Sequence, residues 1–151
     1  MTNKAASDSP AGAADMRPYG WAIERLRTAG LRPTRQRLAL AKLLFAGCDR
    51  HVTAEGLHAE ALTAGARVSL ATIYNSLHQF TEAGLLRQVV VDGSRTYFDT
   101  NVGDHHHFFL EEDGTLLDIP GTGVTVCGLP APPEGCAPTR VDVIVRVRRG
   151  S

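Results

Sequence analysis

The feature that most narrows what this chain can fold into is a change of period at Gly84. Before it, apolar residues recur at helical spacing. In residues 68–84, VSLATIYNSLHQFTEAG, Ser69 is placed to cap a helix, Leu70, Ile73, Leu77 and Phe80 form one stripe, and Gly84 supplies the stop. After it, residues 85–91 and 95–98 alternate as strands about Asp92-Gly93-Ser94, a strong hairpin signal. A helix that runs straight into a two-stranded hairpin is the ending of a winged helix.

The other face of that helix carries the functional signal. At 100° per residue, Ala71, Thr72, Asn75, His78 and Gln79 point away from the apolar stripe, with Tyr74 on the flank. Asn and Gln pair with adenine edges in the major groove, and small side chains meet thymine methyls. The face contains no arginine, so an A/T-rich double-stranded DNA operator is expected, with Thr72, Tyr74, Asn75 and Gln79 in contact. Arg32, Arg35 and Arg37 then hold phosphates or the minor groove, and Arg87 and Arg95 add phosphate contacts from the wing. The rival reading is an ordinary surface helix.

Three capped helices precede this one. Trp21, Ile23, Leu26 and Ala29 mark the first, closed by Gly30; Thr34 caps a second whose buried face is Leu38, Leu40, Leu43, Leu44 and Phe45. Thr53 caps a third with an apolar face of Leu57, Ala61 and Leu62, which leaves His51 just outside it. Residues 1–16, rich in Ala, Ser, Gly and Pro, read as a mobile tail. Beyond residue 100, residues 105–110 and 115–119 read as strands about Glu112-Asp113-Gly114. Residues 139–147 read as a third strand with Val141, Val143, Val145 and Val147 on one face. Between them, residues 120–138 hold five prolines and four glycines and read as loop. The expected fold is α+β: a winged helix-turn-helix DNA-binding domain over 17–99 and a small α/β dimerisation and sensing domain over 100–151. So small a second unit gains a core by pairing with a second copy, as in a two-fold homodimer.

Net charge is zero, yet it divides along the chain. Residues 17–87 carry ten Arg or Lys against five acidic residues, and residues 88–139 carry one against eight. A basic half attracts phosphates, while carboxylates near histidines suit a cation. No run reaches the roughly 18–20 apolar residues of a membrane span, and the start lacks a secretory segment, so a cytoplasmic protein is expected. Cys48, Cys127 and Cys136 form no CxxC pair, which argues against a disulfide framework or a thiolate zinc site; Cys48 reads as a small buried thiol.

Asp104-His105-His106-His107 is the densest cluster of ligand-type residues. On a strand, His105 and His107 share one face and Asp104 and His106 the other. Asp99 at the end of the wing and His51 before the third helix complete the first set, a donor combination acceptable to zinc, manganese or iron. Asp118 joins Asp104 and His106 in a weaker second set. A catalytic use would need a water position and a general base; Glu111 and Glu112 are nearby in sequence, but nothing fixes either in that role.

The stretches GLRPTRQRLALAKLL, HVTAEGLHAEA, VSLATIYNSLHQFTEAGLL, the YFDT wing end and the HHH run, in this order, resemble the ferric uptake regulator superfamily over residues 17–148. ATIYNSLHQFTEAGLLR, the missing CxxC pairs and LPAPPEG before VDVIVRVRR look like its iron response regulator branch. The resemblance implies a dimeric transcriptional regulator of iron or haem homeostasis. It also implies an interdomain metal site at His51, Asp99, His105 and His107, a groove-facing Tyr74 and a minor-groove Arg32. From the branch it implies haem ligation by His105, His106 and His107. Asn75 departs from the arginine frequent at that place in the family, so the operator need not be the usual one. The expected mechanism is that metal at the hinge selects the dimer geometry in which both reading helices reach successive major grooves, with haem competing for the same imidazoles. Two rivals stand: a sister sensor answering directly to ferrous iron, manganese or peroxide, and a small metal-dependent hydrolase.

Overall fold

A computed structural model describes residues 18–150. The tail expected over 1–16 lies outside the described residues. The elements run α1 (Gly20–Thr28), α2 (Arg35–Phe45), β1 (His51–Val52), α3 (Ala54–Thr63), α4 (Leu70–Glu82), β2 (Arg87–Asp92), β3 (Arg95–Asp99), β4 (His107–Leu110), β5 (Thr115–Asp118) and β6 (Ile144–Val147). The architecture is α+β, with every helix before the hairpin. The α/β unit expected after residue 100 is realised as three strands and a long loop.

The three caps are where the sequence puts them. The side-chain oxygens of Thr34, Thr53 and Ser69 accept the backbone N–H groups of Arg37, Gly56 and Thr72, each satisfying a donor the first helical turn would leave orphaned. At the far end of α4, Gly84 takes φ +79°, a conformation disfavoured for other residues, and the chain turns back so that the Leu85 N–H reaches the Phe80 carbonyl.

Leu26, Leu40, Leu44, Leu57, Ile73, Leu77 and Phe80 close one core together with Leu86 and Phe98 from the hairpin. The expected stripes are wrong at their edges. Trp21, Leu62 and Leu70 are exposed, and in α1 it is Ala22 with Leu26 that is buried, a small residue permitting close approach. Cys48, expected buried, is exposed, as are Cys127 and Cys136.

Sequence periodicity gave no warning of β1. This two-residue strand pairs with β3 so that His51 stands opposite Asp99, and the wing becomes a three-stranded sheet of order β1-β3-β2. The second sheet has the order β5-β4-β6, antiparallel at β4 with β5 and parallel at β4 with β6. Only Ile144–Val147 of the strand expected over 139–147 forms: the carboxylate of Asp142 pairs with Arg87, and although the Val143 carbonyl accepts the His107 N–H of β4, its own N–H goes to the His106 side chain. The strand expected from residue 105 begins at His107. Residues 120–138 contain neither helix nor strand, in keeping with their prolines and glycines.

The two sheets pack face to face. Because alternate residues share a face, the side of the wing that carries Arg87, Val89, Val91, Tyr97 and Asp99 is turned away from the helices. Val89, Val91 and Tyr97 meet Phe109, Leu116 and Ile144 there in a second apolar cluster. The wing therefore serves two cores, one on each face.

Candidate metal centre and nucleic-acid face

One end of this inter-sheet layer is polar. Two cross-strand pairs face each other there: His51 opposite Asp99 in the wing sheet, and His107 opposite Asp118 in the second sheet. Directly opposed residues in a sheet put their side chains on the same face, so each pair arrives as a unit. His105, in the connection between the sheets, is the fifth member, and one ligand atom from each of these five residues lies within 4.8 Å of all the others.

The distances are those of donors gathered about a point. Nε2 of His51, His105 and His107 lies 3.0, 2.7 and 3.1 Å from Oδ2 of Asp99, and 2.9, 3.2 and 3.3 Å from Oδ1 of Asp118. Neighbouring ligands of an ion with bonds of roughly 2.1 Å stand about 3.0 Å apart when they subtend a right angle. Asp99 is fully buried, and His107 nearly so.

The tautomer of His105 makes the case for a cation. Its Nδ1 lies 2.6 Å from the Gly103 carbonyl, which can only accept, so Nδ1 carries the proton. A neutral His105 consequently turns the lone pair of Nε2 toward the Asp99 carboxylate 2.7 Å away. Two lone pairs at that distance repel unless a positive charge lies between them, whether a second proton or a metal ion. The donor set, three imidazoles and two carboxylates, suits zinc, manganese or iron.

Protonation follows the same logic. Burial disfavours a charged Asp99, but hydrogen bonds from His107, His51 and the Asn101 N–H, with the charge of His51, outweigh it and hold the carboxyl far below the usual range. At His51 burial opposes the imidazolium, yet the hydrogen bonds and charges of Asp99 and Asp118 raise its pKa above 6.5. A metal must displace that proton. Affinity for Mn2+ is therefore expected to rise as pH climbs through the raised His51 value and to fall on the acid side, measured by titration between about pH 6 and 8.5.

Several assignments change. Asp118 belongs with His51, Asp99, His105 and His107, not with Asp104 and His106, because the β4–β5 register sets it opposite His107. His106 uses Nδ1 to accept the Val143 N–H at 3.1 Å, and Asp104 is exposed; neither is part of the cluster. Arg87 makes no phosphate contact from the wing. It stands opposite Asp99 in register, on the face turned to the second sheet, where its buried guanidinium donates to the Gly103 carbonyl at 2.8 Å and pairs with Asp142. It thereby steadies the carbonyl that orients His105, the second-sphere role a metal ligand requires.

The candidate nucleic-acid face is separate from this cluster in the sequence and in its chemistry. Tyr74, Asn75, His78 and Gln79 are exposed along α4, and Thr72 is half-buried. The Tyr74 hydroxyl donates to Glu55 of α3 at 2.6 Å, which ties the flank of the helix to its neighbour. Arg32 and Arg35 are exposed beside α2. Arg37 is half-buried, and its guanidinium donates inside the domain to the Arg32 carbonyl and to Gln79.

The sequence profile of the Ferric uptake regulator family matches residues 28–124. The peroxide-responsive repressor PerR of Staphylococcus aureus is 33% identical over 97 residues, 64% of this chain and 65% of that protein. The chain thus spans about two thirds, 65%, of the length of the curated relatives it matches. Among solved structures, the ferric uptake regulator of Pseudomonas aeruginosa with manganese superposes with a TM-score of 0.63 at 25% identity, covering 86% of this chain and 98% of that one. The Vibrio cholerae ferric uptake regulator superposes with a TM-score of 0.66 at 20% identity, covering 84% and 98%, and shows likeness of fold.

Proposed function

The chain belongs to the ferric uptake regulator family, and from that premise we propose that it is a homodimeric, metal-controlled transcriptional regulator that reads DNA with α4. Residues 17–99 act as the DNA-binding part, and residues 100–151 as the dimerisation and sensing part. His51, Asp99, His105, His107 and Asp118 hold one divalent ion, manganese, iron or zinc. The ion supplies the positive charge that lets those lone pairs converge. The observation that carries this reading is the His105 tautomer, whose Nε2 lone pair faces a buried carboxylate.

The residues do their work by position. Asp99 ends the wing and Asp118 ends β5, so an ion held by both fixes one sheet against the other. Since the wing continues from α4, a fixed sheet fixes the tilt of the reading helix, and metal shifts DNA affinity by its preference for that tilt. A second copy is favoured by the outer face of the second sheet, where Leu117 and Val145 are exposed apolar residues beside Phe108. A hydrolase is disfavoured because Glu111 and Glu112, the carboxylates nearest in sequence that could act as general base, are engaged by Arg148 and by the Arg149 N–H instead. Among the described residues no helix is long and apolar enough to cross a membrane.

The finer reading is the iron response branch, with haem taken by His105, His106 and His107. His105 and His107 already direct Nε2 at Asp99 and Asp118, so haem and the ion compete for them. Peroxide sensing is the second reading, favoured by the peroxide-responsive relative and by a donor set acceptable to iron.

The test is duplex selection from a random library by the full chain with Mn2+, after chelation, and with haem in the absence and presence of Mn2+. Sequence enrichment is expected only with the ion and is expected to weaken with salt. Enrichment of A/T-rich half-sites supports the reading of the α4 face. Equal binding with and without the ion contradicts metal control.

A further inference from the structure

We propose that Arg37 fixes how Gln79 meets a base edge, so that Gln79 donates to acceptors on a guanine instead of pairing with adenine. The proposal rests on the reading of α4 as the DNA-contacting helix and adds which base one of its residues selects.

Gln79 lies one turn beyond Asn75 on α4, at the wall of a polar groove of about 300 Å3 lined also by Thr34, Gln36, Arg37 and Thr72. Arg37 reaches across from the first turn of α2. Its Nη1 donates to the Arg32 carbonyl at 2.9 Å, and its Nη2 donates to Oε1 of Gln79 at 2.9 Å. A guanidinium has no acceptor, so the amide atom facing it must be the oxygen. The orientation of this amide, which is ambiguous for most glutamines, is here fixed by chemistry.

The consequence for readout is direct. A glutamine reads adenine by accepting from N6 with its oxygen and donating to N7 with its nitrogen. Arg37 occupies one of the two lone pairs of Oε1 and draws the oxygen toward α2, so Gln79 leads with its NH2 group, which carries two donors. Guanine is the base that shows two acceptors side by side in the major groove, N7 and O6. Arg37 is well placed to hold this arrangement, because its backbone N–H is engaged by the Thr34 cap and its other terminal nitrogen is anchored on Arg32. Asn75 keeps the adenine expectation of the remaining face.

The test compares base preferences of the unaltered chain with Mn2+ and of Gln79→Ala, Gln79→Glu and Arg37→Met, by selection from a random duplex library. Circular dichroism melts check that each variant folds; Gln79 and Arg37 both lie outside the apolar cores, and Arg37→Met gives up the bond to the Arg32 carbonyl as well as that to Gln79. The wild type is expected to prefer guanine at one position in each half-site, and Gln79→Ala to flatten that position alone. Gln79→Glu pairs with Arg37 and carries no donor, so it should lose the guanine preference. Arg37→Met frees the amide and should move that position toward adenine by about tenfold while the others hold. The proposal is overturned if Arg37→Met weakens all sequences equally, as loss of a phosphate contact would, or if Gln79→Ala leaves every position unchanged. Failure of the underlying reading looks different: the wild type itself would enrich no sequence, which overturns both.

Discussion

Replacing Asp99 with alanine is expected to lower Mn2+ affinity by more than about a hundredfold. Its Oδ2 stands within 3.1 Å of three imidazole nitrogens, and Oδ1 accepts the Asn101 N–H at 2.8 Å. Alanine removes the one fully buried carboxylate of the cluster and leaves the three imidazoles with only the half-exposed Asp118 carboxylate to meet. The metal-free chain should also lose about 3 kcal/mol, the scale of removing one partner from a buried charged cluster. Asp99→Asn distinguishes the two effects: it keeps the shape and a hydrogen-bond acceptor but not the charge, so affinity falls while most of the stability is retained. Calorimetric titration with Mn2+ and thermal unfolding read them separately. Undiminished Mn2+ affinity in Asp99→Ala would remove the cluster from consideration as the metal site. The sign with pH is fixed as well: the depressed Asp99 value stabilises the fold above the ordinary carboxylate range, and that contribution is lost as pH falls through the native-state value.

Phe109→Ala should cost about 3–5 kcal/mol and lower the unfolding temperature by about 10 °C. Phe109 is fully buried between the sheets, with Tyr97 edge-on at 6.4 Å and the guanidinium groups of Arg95 and Arg146 over its ring at 5.2 and 5.5 Å. It lies two residues from His107 on the same face of β4, so the loss should not remain local: metal affinity is expected to fall with it. Phe98→Ala provides the comparison. Phe98 is equally buried but on the opposite face of the wing, against the helices. The two variants should be destabilised alike in thermal unfolding, and only Phe109→Ala should show a weakened Mn2+ titration at temperatures where both remain folded.

Much of the fold was legible because its signals are local. Thr34, Thr53 and Ser69 cap helices whatever lies around them, and Asp92-Gly93 turns a hairpin without help from the rest of the chain. What escaped was set by distant partners. β1 is two residues long and exists because His51 and Val52 find the edge of β3, which no periodicity announces. Arg87 looked like any basic residue on a wing; that its face is the one turned to the second sheet follows only from pairing with Asp99.

Four of the five residues that the structure brings together are grouped by the sequence alone, while Asp118 is set there with a different pair. The turn at Glu112-Asp113-Gly114 is plain in the sequence, and counting back from it along both strands sets Asp118 opposite His107. Register would therefore have moved Asp118 from the weaker set to the stronger one. His106 was harder to foresee, because the group that engages it, the Val143 N–H, belongs to a stretch that reads as continuous strand. The contact of Arg37 with Gln79 escaped for a similar reason: spacing along α4 says which residues face outward but nothing about what reaches over from α2.

The wing is a party wall. Val89, Val91 and Tyr97 are cut to fit one neighbour while Leu86 and Phe98, in the same few residues, are cut to fit the other. Chimeras joined at the end of the hairpin, with the second sheet of one protein grafted on the helices and wing of another, must re-tailor that wall or leave a gap on its far side. The two halves of this molecule are thus not interchangeable modules, and divergence of one obliges the other to follow.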